Sequence, residues 1–127
     1  MIDKYHFSIH LQFKKDCDVN MIEKEIGLTA YRKNNLTESV GKNKTAKLWF
    51  KTDDFTLSDV FSVLDNFIKT FETKFSLINK FNQTFDGNTT FTLYFEDCKI
   101  KPFIKLSPKS MEILSKNNIF FEVDFRA

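Results

Sequence analysis

The chain has 127 residues, with 19 basic and 17 acidic side chains and a net charge of +2. That length suits one domain. With 42% hydrophobic and 28% charged residues and only three Gly and two Pro, collagen-like, coiled-coil and plainly disordered chains are excluded, as are a strongly basic nucleic-acid arm and an acidic tail.

Tyr5, Phe7, Ile9, Leu11 and Phe13 alternate with His6, Ser8, His10 and Gln12, the period of a half-buried strand. After a polar break, Asp18 is placed to cap a short helix carrying Val19, Ile22 and Ile26, and Gly27 suits the left-handed position past its end. Tyr31-Arg32-Lys33 reads as a short edge strand, and Asn34 to Lys44, rich in Asn, Thr, Ser and Gly, as a mobile loop. Ala46, Leu48 and Phe50 alternate with Lys47, Trp49 and Lys51 in a second clear strand. Thr56 or Ser58 opens the main helix. Its apolar stripe, Leu57, Val60, Phe61, Leu64, Phe67, Ile68, Phe71, Phe75 and Ile78, runs to about Phe81 with a break expected near Thr70 to Thr73. Asp86-Gly87-Asn88 is turn chemistry. Phe91, Leu93 and Phe95 form the inner phase of a third strand, and Lys101 to Leu106 suggests a short edge strand held there by Pro102. Ser107-Pro108 starts a helix carrying Met111 and Leu114 that stops at Asn117-Asn118. Ile119, Phe121, Val123 and Phe125 alternate with Phe120, Glu122, Asp124 and Arg126 as the last strand.

Each clear strand has one apolar and one mainly polar phase, whereas parallel strands covered on both sides read as continuous apolar runs. The expected fold is therefore α+β: a single two-layer domain over residues 1–127. It has a mostly antiparallel or mixed sheet of four to six strands, with the helices packed on one face. Sixteen Phe, ten Leu, ten Ile and five Val suffice for one core. The longest uncharged stretches fall far short of the ~20 apolar residues that cross a bilayer. The first residues show no apolar signal segment, and Cys17 and Cys98 are read as reduced thiols, so a cytoplasmic setting is expected. The bias to 17 Lys over two Arg, with ten Asn, points to an AT-rich bacterial or phage genome.

The order of these features resembles the bacterial domain of unknown function family 4279. The likeness is carried by Asp18, Ile22, Ile26-Gly27-Leu28 with Arg32 after it, the polar loop, the strand bearing Trp49 and the long helix. It ends in the tail from Leu106-Ser107-Pro108 through Leu114 to Phe121-Glu122-Val123-Asp124-Phe125, and so spans nearly the whole chain. The family commonly has Pro where Ala30 sits, and this chain departs there. The resemblance implies the fold and a bacterial or phage setting, and no catalytic residues.

Chemistry is sparse. On a strand His6 and His10 lie roughly 13 Å apart and cannot share a metal ion. Cys17 lacks a CxxC partner and an activating His within obvious reach. The carboxylate pairs Asp53-Asp54 and Asp16/Asp18 suit helix starts. No phosphate-binding, nucleophile-elbow or zinc-protease motif occurs. Neither a catalytic residue, a metal site nor a cofactor is expected.

Two features suggest binding. Arg32 to Lys51 holds Arg32, Lys33, Lys42, Lys44, Lys47 and Lys51 against Glu38, a basic segment able to meet phosphates or an acidic protein patch. The outward phase collects His6, His10, Lys47, Trp49, Tyr94, Phe120 and Arg126, more aromatic than a merely wet face needs. The expectation is a non-catalytic interaction domain, monomer or homodimer, for instance an immunity or inhibitor protein occluding a protein partner through that face. The alternative is a nucleic-acid binder using the 32–51 segment and the sheet aromatics.

Overall fold

The computed structural model describes residues 4–35, 45–52, 60–96 and 105–126. In chain order they form β1 (Lys4–Phe13), α1 (Val19–Ile26), β2 (Arg32–Asn34), β3 (Ala46–Lys51), α2 (Val60–Glu72), α3 (Phe75–Phe85), β4 (Gly87–Glu96), α4 (Pro108–Lys116) and β5 (Ile119–Arg126).

Local chemistry sets most boundaries. The Asp18 carboxylate accepts from the N–H groups of Asn20 and Met21 at 3.0 and 3.4 Å, satisfying two orphan donors of α1. Gly27 closes that helix at φ 78°, where a Cβ is disfavoured. Ser107 Oγ accepts from Ser110 N at 3.1 Å, with Pro108 at the first helical position of α4. The expected break in the long helix falls at residues 73–74, between α2 and α3. One turn earlier Thr70 Oγ1 donates to Asn66 O at 2.8 Å, a back-bond that bends helices, and Lys74 N turns to Phe71 O at 2.8 Å. Asp86, at φ 51°, ends α3. Gly87 then begins β4 so close to its neighbours that a Cβ would meet Phe13 Cδ1 at 2.5 Å, Asn82 Oδ1 at 2.7 Å and Gln12 O at 2.8 Å.

The sheet has five strands in the order β2-β3-β1-β4-β5. β1 is central and antiparallel to both β3 and β4, β2 is antiparallel to β3, and β4 and β5 run parallel. The sheet is thus mixed, and α4 is the crossover that a parallel β4–β5 pair requires. Phe7, Ile9, Leu11 and Phe13 of β1, Ala46, Leu48 and Phe50 of β3, and Phe91, Leu93 and Phe95 of β4 all point to one side. There they join Val19, Ile22 and Ile26, Leu64, Phe67, Ile68 and Phe71, Phe75, Ile78 and Phe81, and Ile113 and Leu114 in one buried cluster. The fold is the α+β two-layer arrangement with helices on one face.

Three local features depart from or fall outside the sequence pattern. Met111 is exposed, and Ile113 joins Leu114 in the core instead; nine residues of helix present a narrow stripe, and Met111 lies off it. Val123, on the inner phase of an edge strand, keeps 37% of its surface. Thr56, Ser58 and the strand expected over Lys101 to Leu106 lie largely outside the described residues, and Lys105 and Leu106 belong to no strand.

Candidate sheet-face binding site

Strand register arranges the helix-free face in rows. Arg32, Trp49, His10, Thr90 and Phe120 stand side by side across all five strands. One step to one side lie Asn34, Lys47, Gln12 and Asn88. To the other lie Lys51, Ser8, Thr92 and Glu122, then His6, Tyr94 and Asp124. Successive rows are ~6.6 Å apart and neighbouring strands ~4.8 Å. Cross-strand neighbours at that spacing touch, so the pairing decides what each aromatic side chain can do.

Trp49 is the clearest case. The His10 ring stacks on it at 4.6 Å and 11°. From the strand on the other side the Arg32 guanidinium lies 5.1 Å from the ring centroid, and Lys47 Nζ lies 5.8 Å away. β1 and β2 flank β3 on opposite sides, so the two faces of the indole are capped by an imidazole and a guanidinium. Trp49 is half-buried rather than freely exposed. The row is held together by stacking and cation–π attraction, worth ~0.5–1.5 kcal/mol per contact.

His10 feels this packing directly. Burial first, and the charge of Lys47 second, lower its pKa from 6.5 to about 4, because both disfavour the imidazolium. Its Nε2, like Ser8 Oγ one row away, is buried and has no hydrogen-bond partner among the described residues. Tyr94 is half-buried too, stacked on His6 at 4.8 Å and 25°.

The expected site residues therefore separate into groups. Trp49, His10, Lys47 and Arg32 form one contiguous cluster. Phe120 shares their row but stands two strands from His10, and at 63% is the most exposed of the large apolar residues among those described. Tyr94 lies two rows from His10. Arg126 pairs in register with Glu96, six residues or about 20 Å along β5 from Phe120, and does not belong to the cluster. Lys33 faces away from this row. Its odd position turns it to the helix side, where its Nζ meets Glu23 Oε1 at 3.0 Å and Glu23 Oε2 accepts from Ala30 N at 2.8 Å. Lys33 and Ala30 hold the Glu23 carboxyl below its ordinary range, and Lys33 is ion-paired there while remaining partly exposed. Lys42 and Lys44 lie outside the described residues.

Sequence reasoning passed over Tyr31 as a contact residue. It is 47% exposed, its N–H donates to Trp49 O at 2.9 Å, and Lys51 Nζ lies 5.2 Å from its ring. Its place beside Arg32 on an edge strand next to the Trp-bearing strand was the available signal. The β2–β3 flank thus offers Tyr31, Arg32, Lys47, Trp49 and Lys51 together.

Elsewhere polar groups are engaged in holding the fold. Asp65 accepts from Ser110 Oγ at 2.7 Å and Ser107 Oγ at 3.2 Å, fixing the start of α4. A cleft of about 410 Å³ beside Phe120 is lined by amides. Asn79 donates to Asn117 Oδ1 at 3.1 Å and Asn82 to Thr89 Oγ1 at 3.0 Å, while Asn82 Oδ1 is buried without a partner among the described residues. Cys17 is a free thiol whose pKa burial, then Asp16 and Asp18, raise to about 11. Among the described residues no three His, Cys, Asp or Glu side chains are grouped to hold a metal ion, and no helix is long and apolar enough to cross a membrane.

No protein-family model, curated protein or solved structure matches the chain. The resemblance to family 4279 rests on the quoted residues alone.

Proposed function

We propose that this chain is a non-catalytic protein-binding module of bacterial or phage origin. In its most concrete form it is an immunity or inhibitor protein that occludes a protein partner through the β2–β3 flank of the helix-free sheet face. One observation carries the reading: Trp49 is held between His10 and Arg32, with Lys47, Lys51 and Tyr31 around it. A pre-stacked aromatic loses little side-chain freedom on docking, and Trp, Tyr and Arg are the residues that dominate protein interfaces. The cations around it favour an acidic partner surface.

The nucleic-acid alternative is weaker on the same geometry. Bases stack on open aromatic faces, and both faces of Trp49 are taken. Lys33 is ion-paired with Glu23. The bacterial or phage setting rests on composition and on the family resemblance.

Affinity capture from host lysate with wild type and Trp49→Ala, followed by titration of the purified pair, tests the proposal. A partner held by wild type should bind the variant at least about 30-fold more weakly, the loss of a hot-spot tryptophan. Equal affinity for every captured protein removes the face from consideration. Oligonucleotide binding that weakens steeply with salt would favour the alternative.

A further inference from the structure

Among the described residues, β5 (Ile119–Arg126) is an outer strand of the sheet with no strand on its far side. β4 is its neighbour on one side, so alternate residues turn their backbone N–H and C=O groups outward. From Ile119 to Val123 no backbone hydrogen bond beyond the β4 ladder occurs among the described residues. Proteins usually blunt such edges by shortness, charged side chains (Lys above all), Pro, a bulge or a covering segment. The opposite edge, β2, obeys: it has three residues, two of them Arg32 and Lys33. β5 has eight, IFFEVDFR, with its three charges Glu122, Asp124 and Arg126 all in one phase and no Lys, Pro or Gly, and it pairs with β4 in one unbroken register. It also carries an exposed apolar side chain on each face, Phe120 on the open side and Val123 on the helix side. An added strand would cover both and satisfy the free backbone groups.

The charge pattern selects the occupant. A second copy pairing antiparallel about a twofold axis must set residues of equal parity opposite each other. The two such registers with the longest overlap centre on Glu122 or Val123. The first places Glu122 against itself and the second places Glu122 against Asp124, and like charges directly opposed destabilise a pair. A strand with a cation opposite Glu122 has no such penalty.

We infer that the β5 edge docks an extended segment of a partner protein as an added antiparallel strand. The segment carries Lys or Arg opposite Glu122 and apolar residues opposite Phe120, Phe121 and Val123, which reads apolar-basic-apolar-apolar along the partner. This inference uses a different flank from the Trp49 cluster and stands or falls separately from the proposed function.

The test uses the full chain and a fluorescein-labelled peptide, Ser-Thr-Val-Lys-Val-Ile-Thr-Ser, with a second peptide bearing Glu for Lys and a third N-methylated at alternate backbone amides. Anisotropy should show the Lys peptide binding at least tenfold more tightly than the Glu peptide, and the N-methylated peptide not binding. Glu122→Lys, a change at an exposed site, should invert the preference. Amide chemical-shift changes should centre on Ile119 to Val123, and Trp49→Ala should leave binding unchanged. Three results would each overturn the inference: no binding up to 1 mM peptide, a preference that Glu122→Lys does not move, or a protein that is already a dimer through β5 and that peptide does not dissociate.

Discussion

Acidification should act on the Trp49 row through His10, and the effect can be sized. In the unfolded chain this imidazole titrates at its ordinary 6.5, and in the folded chain at about 4. Between those values the unfolded state takes up a proton that the folded state refuses. Stability therefore falls as pH drops through the window from 6.5 to 4, and the loss levels off below it. At 1.36 kcal/mol per pH unit the ceiling is about 3 kcal/mol. Solvent reaching the half-buried ring and screening Lys47 brings the expected loss nearer about 2 kcal/mol. His10→Gln keeps a polar side chain of similar reach and removes the titration. Urea unfolding at pH 7, 5 and 4 should show wild type losing about 2 kcal/mol more than His10→Gln. Trp49, the only tryptophan in the chain, gives a direct readout. Imidazolium quenches indole emission, so fluorescence should fall with a midpoint near pH 4 while far-UV circular dichroism holds. A midpoint near 6.5, or equal pH dependence of wild type and His10→Gln, would refute the stacked, buried imidazole.

Two further outcomes follow from packing. Gly87→Ala drives a methyl group against the immovable Gln12 carbonyl and the Phe13 ring. It should cost about 2–3 kcal/mol and lower Tm by roughly 10 °C, and a Tm within 2 °C of wild type would show that the β1–β4 corner has slack. Cys17, with its pKa pushed from 9.0 to about 11, should be alkylated by iodoacetamide at pH 8 about 100-fold more slowly than an ordinary thiol. The rate is read by mass spectrometry in a Cys98→Ser background, where one equal to that of the urea-unfolded protein would exclude a shielded thiol.

Period and capping carried most of the fold. β1, β3, β4 and β5 follow from alternation, and Asp18, Gly27, Ser107 and Pro108 mark helix ends by local rules that need no tertiary information. The mixed sheet was legible as a class but its strand order was not, because the alternation of β5 suits either direction of pairing at an edge. The site was half legible. Alternation gives the face on which Trp49 lies, but its neighbours are set by a register linking residues 39 positions apart, His10 to Trp49. That pairing turned an expected exposed tryptophan into a capped one. The ion pair of Lys33 is invisible in sequence for the same reason: its partner Glu23 lies on a helix, and only the packing of α1 beside β2 brings them within 3.0 Å. Two turns of helix define a stripe too loosely to place Ile113 rather than Met111 in the core.

The helix-free face is not uniformly wet, and this shapes what it can recognise. Ser8 and Thr92 at its centre are as inaccessible as the core, and leaving Ser8 Oγ and His10 Nε2 unpaired there costs about 1–3 kcal/mol each, offset by the phenylalanine-rich layer beneath. Contact with a partner therefore falls to the flanks, which differ in kind. The β2–β3 flank is aromatic and cationic, with Tyr31, Arg32, Lys47, Trp49 and Lys51. The β5 flank is apolar and acidic, with Phe120 beside Glu122, whose carboxylate accepts from Thr92 Oγ1 at 3.4 Å. A single flat partner would need acidic and basic halves about four strand spacings, or roughly 20 Å, apart. Two separate segments, one acidic and one a basic strand, meet the same requirement without that constraint. Trp49→Ala and Glu122→Lys perturb one flank each, so a partner sensitive to both would have to span the face, and partners each sensitive to one would divide it.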